Sequence, residues 1–310
     1  MDNETEYYFH IGLPKTATSY LQKNFFPLLD IVYLGKHYDS EIDDRKKDME
    51  FAGLFSSIFV SRPFDLSEVD YRKIVEAMPE GGKILYSNEL MSGSSRMNFC
   101  NAPQIAHHLS KAFPGAKVIF VLRRQDLFVE SIYRQAIRGG YHRSVAKFLS
   151  VKRGEFGRIF YGRDALMDIH SMNYLKWVEY YAEVFGEENL LVLPYEMLKS
   201  DRRGFLERIS SFMGVEYREP LSGERTNGRD SYALLCAMRL VNSFVPKKLQ
   251  NRISDILPFG IVASLLNAIG WERAFLDEEY SRKILSFHED TNRELSRKYG
   301  LELERYGYFG

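Results

Sequence analysis

The sequence has few cysteines, no net charge and no long uninterrupted hydrophobic run, and each shortage argues against a class of protein. Its 310 residues contain two cysteines, Cys100 and Cys236, too few and too widely spaced for a disulfide scaffold or a metal-ligand cluster. The 42 basic residues balance 42 acidic ones, which argues against a protein whose main role is to coat nucleic acid. The seven histidines form no HExxH motif, so we expect no catalytic metal.

Location is predicted from two further absences. Residues 1–12 begin acidic and lack the basic start and apolar core of a signal peptide, so we expect a cytoplasmic protein. The longest apolar stretch, residues 256–271, contains Pro258 and Gly260 and is too short to span a bilayer comfortably. We interpret it as a buried or lid helix, and contact with a membrane surface stays open as the alternative.

Hydrophobic residues make up 45% of the chain, enough for a large core, and their pattern predicts a parallel sheet. Short apolar runs, each followed by a helix-like segment, lie at 7–12, 83–88, 117–122 and 189–194. Amphipathic helices are predicted at 101–113, 126–138, 170–186 and 201–213. The fold class is therefore α/β, a P-loop-like parallel β-sheet flanked by helices. We predict one domain over 1–310, with a mainly helical C-terminal subregion at about 230–310, and leave the oligomeric state open.

The stretch HIGLPKTATSYLQ, residues 10–22, is typical of an anion site at the end of a strand. It leaves the strand through Gly-Leu-Pro-Lys and opens a helix with hydroxyl side chains, which places a lysine, hydroxyls and backbone N–H groups together. A Walker A loop does not fit, because Phe9 stands where the first glycine is needed and Pro14 precedes Lys15. Taken alone, the hydroxyls also fit a simple helix cap.

A second polar group follows the third predicted strand, in VLRRQDLFVESIYRQ at 121–135. Arg123 can offer a planar fork to a phosphate, and Ser131 can add a hydroxyl from the following helix. The alternative is a surface ion pair between Arg123 and Asp126. Two anion sites at neighbouring strand ends suit a nucleotide with phosphates at two separated positions.

Together, GLPKTATSYL at 12–21 and LRRQDLFVESIY at 122–133 resemble the two cofactor loops of the sulfotransferases that use 3′-phosphoadenosine 5′-phosphosulfate (PAPS), particularly the bacterial and carbohydrate-sulfating branch. The sequence departs from that family at Ala17, where glycine is usual, and at Arg124-Gln125, which replace Asn-Pro. A right-handed backbone at Ala17 would tolerate alanine, whereas a left-handed one would be costlier.

The resemblance implies a set of cofactor-binding residues. The 5′-phosphosulfate would be lined by Lys15, Thr16, Ala17, Thr18, Ser19 and Tyr20, and the 3′-phosphate held by Arg123 and Ser131. Residues 173–198 resemble the family's segment around its fourth strand, which places Tyr195 near the adenine. Residues 224–242 resemble a late segment that folds over the cofactor, so that Arg225, Asn227 and Arg229 become possible contacts.

Sulfonate transfer needs a cation at the bridging oxygen and a base for the acceptor's proton. Lys15 can supply the cation. Glu89 follows the strand 83–88 and, like a glutamate of carbohydrate-sulfating relatives, is the expected base, with His10 and His142 as alternatives. The predicted acceptor is a hydroxyl of a carbohydrate or glycolipid. The rival functions are an ATP- and magnesium-dependent phosphotransferase with a degenerate P-loop and a non-catalytic nucleotide-binding module.

Overall fold

A computed structural model describes residues 5–35, 71–79, 81–95, 98–157, 166–220, 230–245, 259–268 and 273–310. The chain divides into two compact units. The first comprises Met1–Arg124, Asn173–Thr226 and Asp290–Gly310, and the second comprises Gln125–Met172 and Asn227–Glu289. The single domain and its helical C-terminal subregion stay a prediction.

The first unit is built on a five-stranded parallel sheet in the order β2-β3-β1-β4-β7. In chain order the strands of the structure are β1 Glu6–Gly12, β2 Val32–Leu34, β3 Lys83–Ser87, β4 Lys117–Leu122, β5 Val151–Lys152, β6 Glu155–Phe156 and β7 Leu190–Pro194. The central strands β1 and β4 are buried over nearly their whole length, as expected where helices cover both faces of a parallel sheet.

Helices follow most strands of the sheet, because a parallel strand pair needs a crossover connection. They are α1 Thr18–Asn24, α2 Arg72–Glu76, α3 Ala102–Ala112, α4 Gln125–Arg138, α5 Val145–Phe148, α6 Tyr174–Phe185, α7 Tyr195–Ser200, α8 Arg202–Met213, α9 Tyr232–Phe244, α10 Phe259–Ala268 and α11 Glu278–Tyr299. Single 3-10 turns lie at Phe26–Leu28, Glu89–Ser92, Ile169–Met172, Glu187–Asn189 and Leu303–Tyr306.

The short helix α1 is held in place by its apolar face. Leu21 and Phe25 are fully buried in a core cluster that also contains Ile119 of β4 and Phe205 of α8. Burial of a side chain of this size contributes about 1.5–3 kcal/mol. The segment that follows β1 is therefore fixed to the sheet, although α1 is only seven residues long.

The second unit contains the antiparallel pair β5–β6 and the helices α4, α9 and α10. Its α4 buries Glu130, which accepts hydrogen bonds from the Arg134 side chain at 2.5 Å and from the backbone N–H groups of Phe275 and Leu276 at 3.0 and 2.9 Å. Both carboxylate oxygens of Glu130 accept hydrogen bonds, so we interpret Glu130 and Arg134 as a structural clamp on the 275–276 segment.

The structure confirms the predicted fold class, and each predicted strand lies within about one residue of the observed one. The edge strand β2 escaped prediction because only three residues pair. Within the predicted apolar stretch 256–271, the described helix is α10. Over the ranges described above, no helix is both long and apolar enough to cross a membrane.

Candidate active site

Three polar segments follow three adjacent strands at one edge of the sheet. β1 pairs with β3 through His10 and Ser87 and with β4 through Gly12 and Val121. We call residues 13–17 the Lys15 loop and residues 88–92 the Glu89 turn. Because β1 lies between β3 and β4, the Lys15 loop leaves the sheet between the Glu89 turn and the Arg123 segment, where ligands of open parallel sheets bind.

The backbone of the Lys15 loop is left-handed at two non-glycine residues. Lys15 has φ 70° and Ala17 has φ 63°, ψ 21°. Of the two alternatives considered for Ala17, the structure therefore has the costlier, left-handed one. A left-handed L-residue costs about 1–2 kcal/mol, so the loop holds strain at the positions where an anion site is predicted. The side chain of Lys15 is exposed.

Gly12 leaves room for the hydroxyls of Thr16 in this loop and of Thr18 at the start of α1. A Cβ atom at Gly12 would lie 2.6 Å from Thr18 Oγ1, 3.0 Å from Thr16 Oγ1 and 3.3 Å from His10 Cε1. The Thr16 hydroxyl already donates to the Leu13 carbonyl at 2.6 Å. The Thr16 hydroxyl is therefore used within the loop, whereas the Thr18 hydroxyl makes no hydrogen bond with the described residues.

Three buried polar atoms without a partner belong to residues that follow or contact the Lys15 loop. Within the described ranges, Thr18 Oγ1, Tyr20 Oη and Arg123 Nε are closed to solvent and make no hydrogen bond in the protein. Buried polar groups are nearly always paired, so unpartnered donors on residues next to one loop indicate a missing ligand or water. All three can donate a hydrogen bond, which is the chemistry that an anion needs.

Arg123 connects the exit of β4 to the Lys15 loop. Its Nη1 donates to the Lys15 carbonyl at 2.7 Å, and its guanidinium carbon lies 5.1 Å from the centroid of the Tyr195 ring. Lys199 approaches the same ring at 4.9 Å. Burial lowers the pKa of Arg123, although the nearby Tyr195 and Glu196 partly offset this effect. Arg123, Tyr195 and the Lys15 loop therefore lie together, and their roles in binding the cofactor stay a prediction.

The Glu89 turn is ordered by short hydrogen bonds. Asn88 caps the 3-10 turn by accepting from the Leu90 N–H at 2.9 Å and donates to the Tyr86 hydroxyl at 2.7 Å. The Ser92 hydroxyl donates to the Glu89 carbonyl at 2.7 Å. The Glu89 side chain is half-buried. The Glu89 turn therefore follows β3, the strand next to β1, on a defined backbone.

The two alternative bases differ in access. His10 is fully buried, its Nδ1 lies 2.8 Å from Ser87 Oγ, and burial lowers its pKa to about 3. A neutral imidazole closed to solvent cannot reach an acceptor hydroxyl, which argues against His10 as the base. His142 is exposed and belongs to the second unit.

Several predicted residues are not joined to this site by the structure. Ser131 is a half-buried residue of α4 in the second unit, so its pairing with Arg123 stays a prediction. Ser19 is half-buried at the start of α1. Arg225, Asn227 and Arg229 lie outside the described residues.

Sequence reasoning missed Gln22, Ser87 and Glu196. Gln22 Nε2 donates to the Ser87 carbonyl at 2.9 Å and to the Ser87 hydroxyl at 3.0 Å. Glu196 accepts from the Arg124 N–H at 3.2 Å and from the Tyr308 hydroxyl at 2.9 Å. The available signal was Gln22 itself, a polar residue next to Leu21 on the buried face of a short helix.

Comparison with known proteins gives one family match, to part of the chain. Residues 95–219 match the family model described as Sulfotransferase family. The match includes Arg123, Ser131 and Tyr195 and does not include the Lys15 loop or Glu89. No curated protein matches the sequence. The predicted resemblance to sulfotransferases is confirmed for this part of the chain, while the sulfotransferase activity and the carbohydrate-type branch stay predictions.

Solved structures give the fold over nearly the whole chain. A sulfotransferase from Alicyclobacillus acidocaldarius has a TM-score of 0.55 at 16% identity, with 97% of this chain and 98% of that chain covered. Mouse SULT7A1 complexed with PAP gives 0.36 at 13% identity over 77% and 65% of the two chains. The sulfotransferase domain from the curacin biosynthetic pathway gives 0.37 at 14% identity over 73% and 81%. Similarity at these identities does not extend to function.

Proposed function

We propose, from the match of residues 95–219 to the sulfotransferase family, that this protein transfers a sulfonate group from PAPS to a hydroxyl of an acceptor. The observation that carries the donor assignment is the set of buried donor atoms without a partner on residues next to the Lys15 loop, namely Thr18 Oγ1, Tyr20 Oη and Arg123 Nε. These residues fit an anionic group, because each offers an N–H or O–H and none offers a carboxylate that would repel it.

The donor site differs from a magnesium-dependent phosphate loop. Lys15, the loop hydroxyls and Arg123 supply the positive charge and the hydrogen bonds. Among the described residues no group of acidic, histidine or cysteine side chains is arranged to hold a metal ion. Arg123 stands directly after β4, where a magnesium-dependent enzyme of this fold class would use a carboxylate. We expect donor binding without added metal.

The reaction requires the protein to stabilise negative charge on the bridging oxygen and to accept the proton of the acceptor hydroxyl. When bound, PAPS supplies the sulfonate on its 5′-phosphate, and the sulfur–oxygen bond to that phosphate breaks as a bond to the acceptor oxygen forms. Lys15 is proposed to neutralise the charge that develops on the bridging oxygen. Glu89 is proposed to take the proton of the acceptor hydroxyl, since it follows the strand adjacent to the Lys15 loop.

The acceptor is proposed to be a carbohydrate or glycolipid hydroxyl, and the location to be cytoplasmic. Support for the acceptor comes from the likeness of the two loops to the carbohydrate-sulfating branch. The exposed side chains Leu240 and Phe244 of α9 and Leu265 of α10 keep a lipid-linked acceptor among the candidates to be screened.

Calorimetric titration with 3′-phosphoadenosine 5′-phosphate (PAP) tests the donor assignment. We expect binding that persists in EDTA, exceeds that of ADP, and falls at least about tenfold in Arg123→Ala, because a charge-assisted hydrogen bond contributes about 1.5–3 kcal/mol. Arg124→Ala is the matched control. It removes the same charge one residue later, where Nη1 lies against Gly307 instead of the Lys15 loop.

Two results would contradict the proposal in different ways. A preference for magnesium-ATP over PAP would favour the phosphotransferase. Tight PAP binding with no PAPS turnover on a broad set of saccharide acceptors would favour the nucleotide-binding module. With an active acceptor, Glu89→Gln and Lys15→Ala are expected to lower kcat by about 10²-fold or more, as general-base and charge-stabilising residues do.

A further inference from the structure

A buried polar network links the helix after the Lys15 loop to the strand before the Glu89 turn. It consists of His10 on β1, Gln22 on α1 and Ser87 at the end of β3. Their exposed fractions are 0%, 3% and 2%. The network lies directly at the edge of the sheet where Lys15 and Glu89 emerge, and neither residue belongs to it.

Gln22 is the central donor of this network. Its Nε2 reaches both the Ser87 carbonyl, at 2.9 Å, and the Ser87 hydroxyl, at 3.0 Å. Gln22 lies on α1, five residues after Ala17, and Ser87 is two residues before Glu89. The two segments that carry the proposed cation and the proposed base are therefore joined through one side chain.

His10 completes the hydrogen bonding of Ser87. The Ser87 hydroxyl oxygen accepts a hydrogen bond from Gln22. The proton of that hydroxyl can then be donated to His10 Nδ1, which lies 2.8 Å away. This arrangement puts the ring proton on Nε2, an atom that is buried and without a partner in the described part of the chain. The His10 ring also contributes Cε1 to the space above Gly12, beside the hydroxyls of Thr16 and Thr18.

We infer that Gln22 is a positioning residue that couples the Lys15 loop to the Glu89 turn, so that donor binding also fixes the carboxylate. This inference rests on the proposed function. Interior side chains of a close-packed sheet edge transmit small shifts instead of absorbing them. Movement of α1 on donor binding is then passed through Gln22 to the end of β3, and misplacement of Glu89 by about 1 Å can cost about 10²-fold in rate.

The test combines hydrogen exchange with kinetics on the full chain. In the wild type, PAP is expected to slow backbone exchange in residues 13–24 and, through Gln22, by about tenfold in residues 88–92. In Gln22→Met, which keeps the shape of the side chain but removes its donor, the first effect is expected to stay and the second to disappear. With an active acceptor, kcat is expected to fall about tenfold while the KM for PAPS is unchanged.

Ser87→Ala and Asn242→Leu separate coupling from general loss of stability. Ser87→Ala removes the hydroxyl but leaves the carbonyl that Gln22 also contacts, so an intermediate effect on residues 88–92 is expected. Asn242 is buried and donates to the carbonyls of Ile137 and Tyr141 at 2.7 and 3.2 Å. Asn242→Leu therefore removes a comparable buried amide, and it should lower stability without changing exchange in residues 88–92.

The outcomes distinguish this inference from the proposed function. Absence of PAP binding by the wild type would overturn the proposed function and this inference with it. PAP binding that slows exchange in residues 13–24 but not in 88–92, or that slows both equally in Gln22→Met, would overturn the inference alone. Equal loss of kcat in Gln22→Met and Asn242→Leu would likewise assign Gln22 a purely structural role.

Discussion

Because the backbone at Ala17 is left-handed, Ala17→Gly and Ala182→Gly should change the free energy of unfolding differently. Ala17 has φ 63° and precedes α1, where its carbonyl accepts from the N–H groups of Tyr20 and Leu21 at 2.9 and 3.0 Å. Ala182 lies in the interior of α6 and is half-buried, as Ala17 is. Both residues belong to the first unit, so the same measurement of unfolding reports on both.

The two substitutions are expected to change the free energy of unfolding in opposite directions. Removing the Cβ at Ala17 relieves about 1–2 kcal/mol of left-handed strain. Against this, glycine raises the conformational entropy of the unfolded chain, which lowers the free energy of unfolding by about 0.4–1 kcal/mol. The lost methyl contact of a half-buried alanine subtracts roughly another 0.4 kcal/mol, half the value for a fully buried carbon. Ala17→Gly should therefore raise the free energy of unfolding by about 0.5 kcal/mol, whereas Ala182→Gly should lower it by about 1 kcal/mol.

Urea unfolding followed by far-UV circular dichroism measures this difference of about 1.5 kcal/mol directly. If Ala17→Gly destabilises as much as Ala182→Gly, the backbone at Ala17 is right-handed and the strain argument fails. Calorimetry with PAP on the same variants adds a functional readout. We expect the affinity of Ala17→Gly to stay within about threefold of the wild type, because the substitution removes no polar group.

Three further results are expected. Gly12→Ala should weaken PAP binding by about tenfold in calorimetry, because its Cβ would lie 2.6 Å from a loop hydroxyl; unchanged affinity would contradict this. Burial lowers the pKa of His10 to about 3 and that of His288 to about 4, so the unfolded chain binds protons first as the pH falls below about 6.5. Stability should then drop by up to about 1.4 kcal/mol per pH unit for each histidine, and His10→Gln should flatten the profile of urea midpoints. Tyr308→Phe should lower the free energy of unfolding by about 1 kcal/mol through loss of its bond to Glu196, and a thermal melt equal to that of the wild type would contradict this.

The parallel sheet could be predicted from the sequence because its central strands are buried on both faces. Continuous apolar runs such as KVIFVL at 117–122 leave few alternatives to a buried strand. The edge strand Val32–Leu34 could not be recognised, since three residues carry no period. Helix boundaries were close where caps are strong, as at Asp201, whose carboxylate accepts from the Gly204 N–H at 2.9 Å.

Only the parts of the site that lie in recognisable sequence motifs could be predicted. Lys15, Glu89 and Arg123 could be placed at one edge because each follows a predicted parallel strand. The connections between them could not, since Gln22 contacts Ser87 across 65 positions of the chain and Glu196 contacts Arg124 across 72. Such contacts depend on the register of strands and the rotation of helices, which short motifs do not specify.

Non-glycine residues usually avoid left-handed backbone, and Lys15 and Ala17 break this rule at the site. The rest of the fold compensates for the strain. Two left-handed residues cost about 2–4 kcal/mol together, a large part of the stability of a typical domain. The burial of Leu21 on α1 and of Phe25 directly after it offsets a similar amount, and the 2.7 Å bond from Arg123 to the Lys15 carbonyl holds the first left-handed residue directly. Strain retained in this way at a strand exit, beside unpartnered donors, supports the interpretation of a preorganised anion site. Arg123 therefore has two roles in our interpretation, one towards the donor and one towards the loop, and its loss should reduce affinity by more than a single phosphate contact explains.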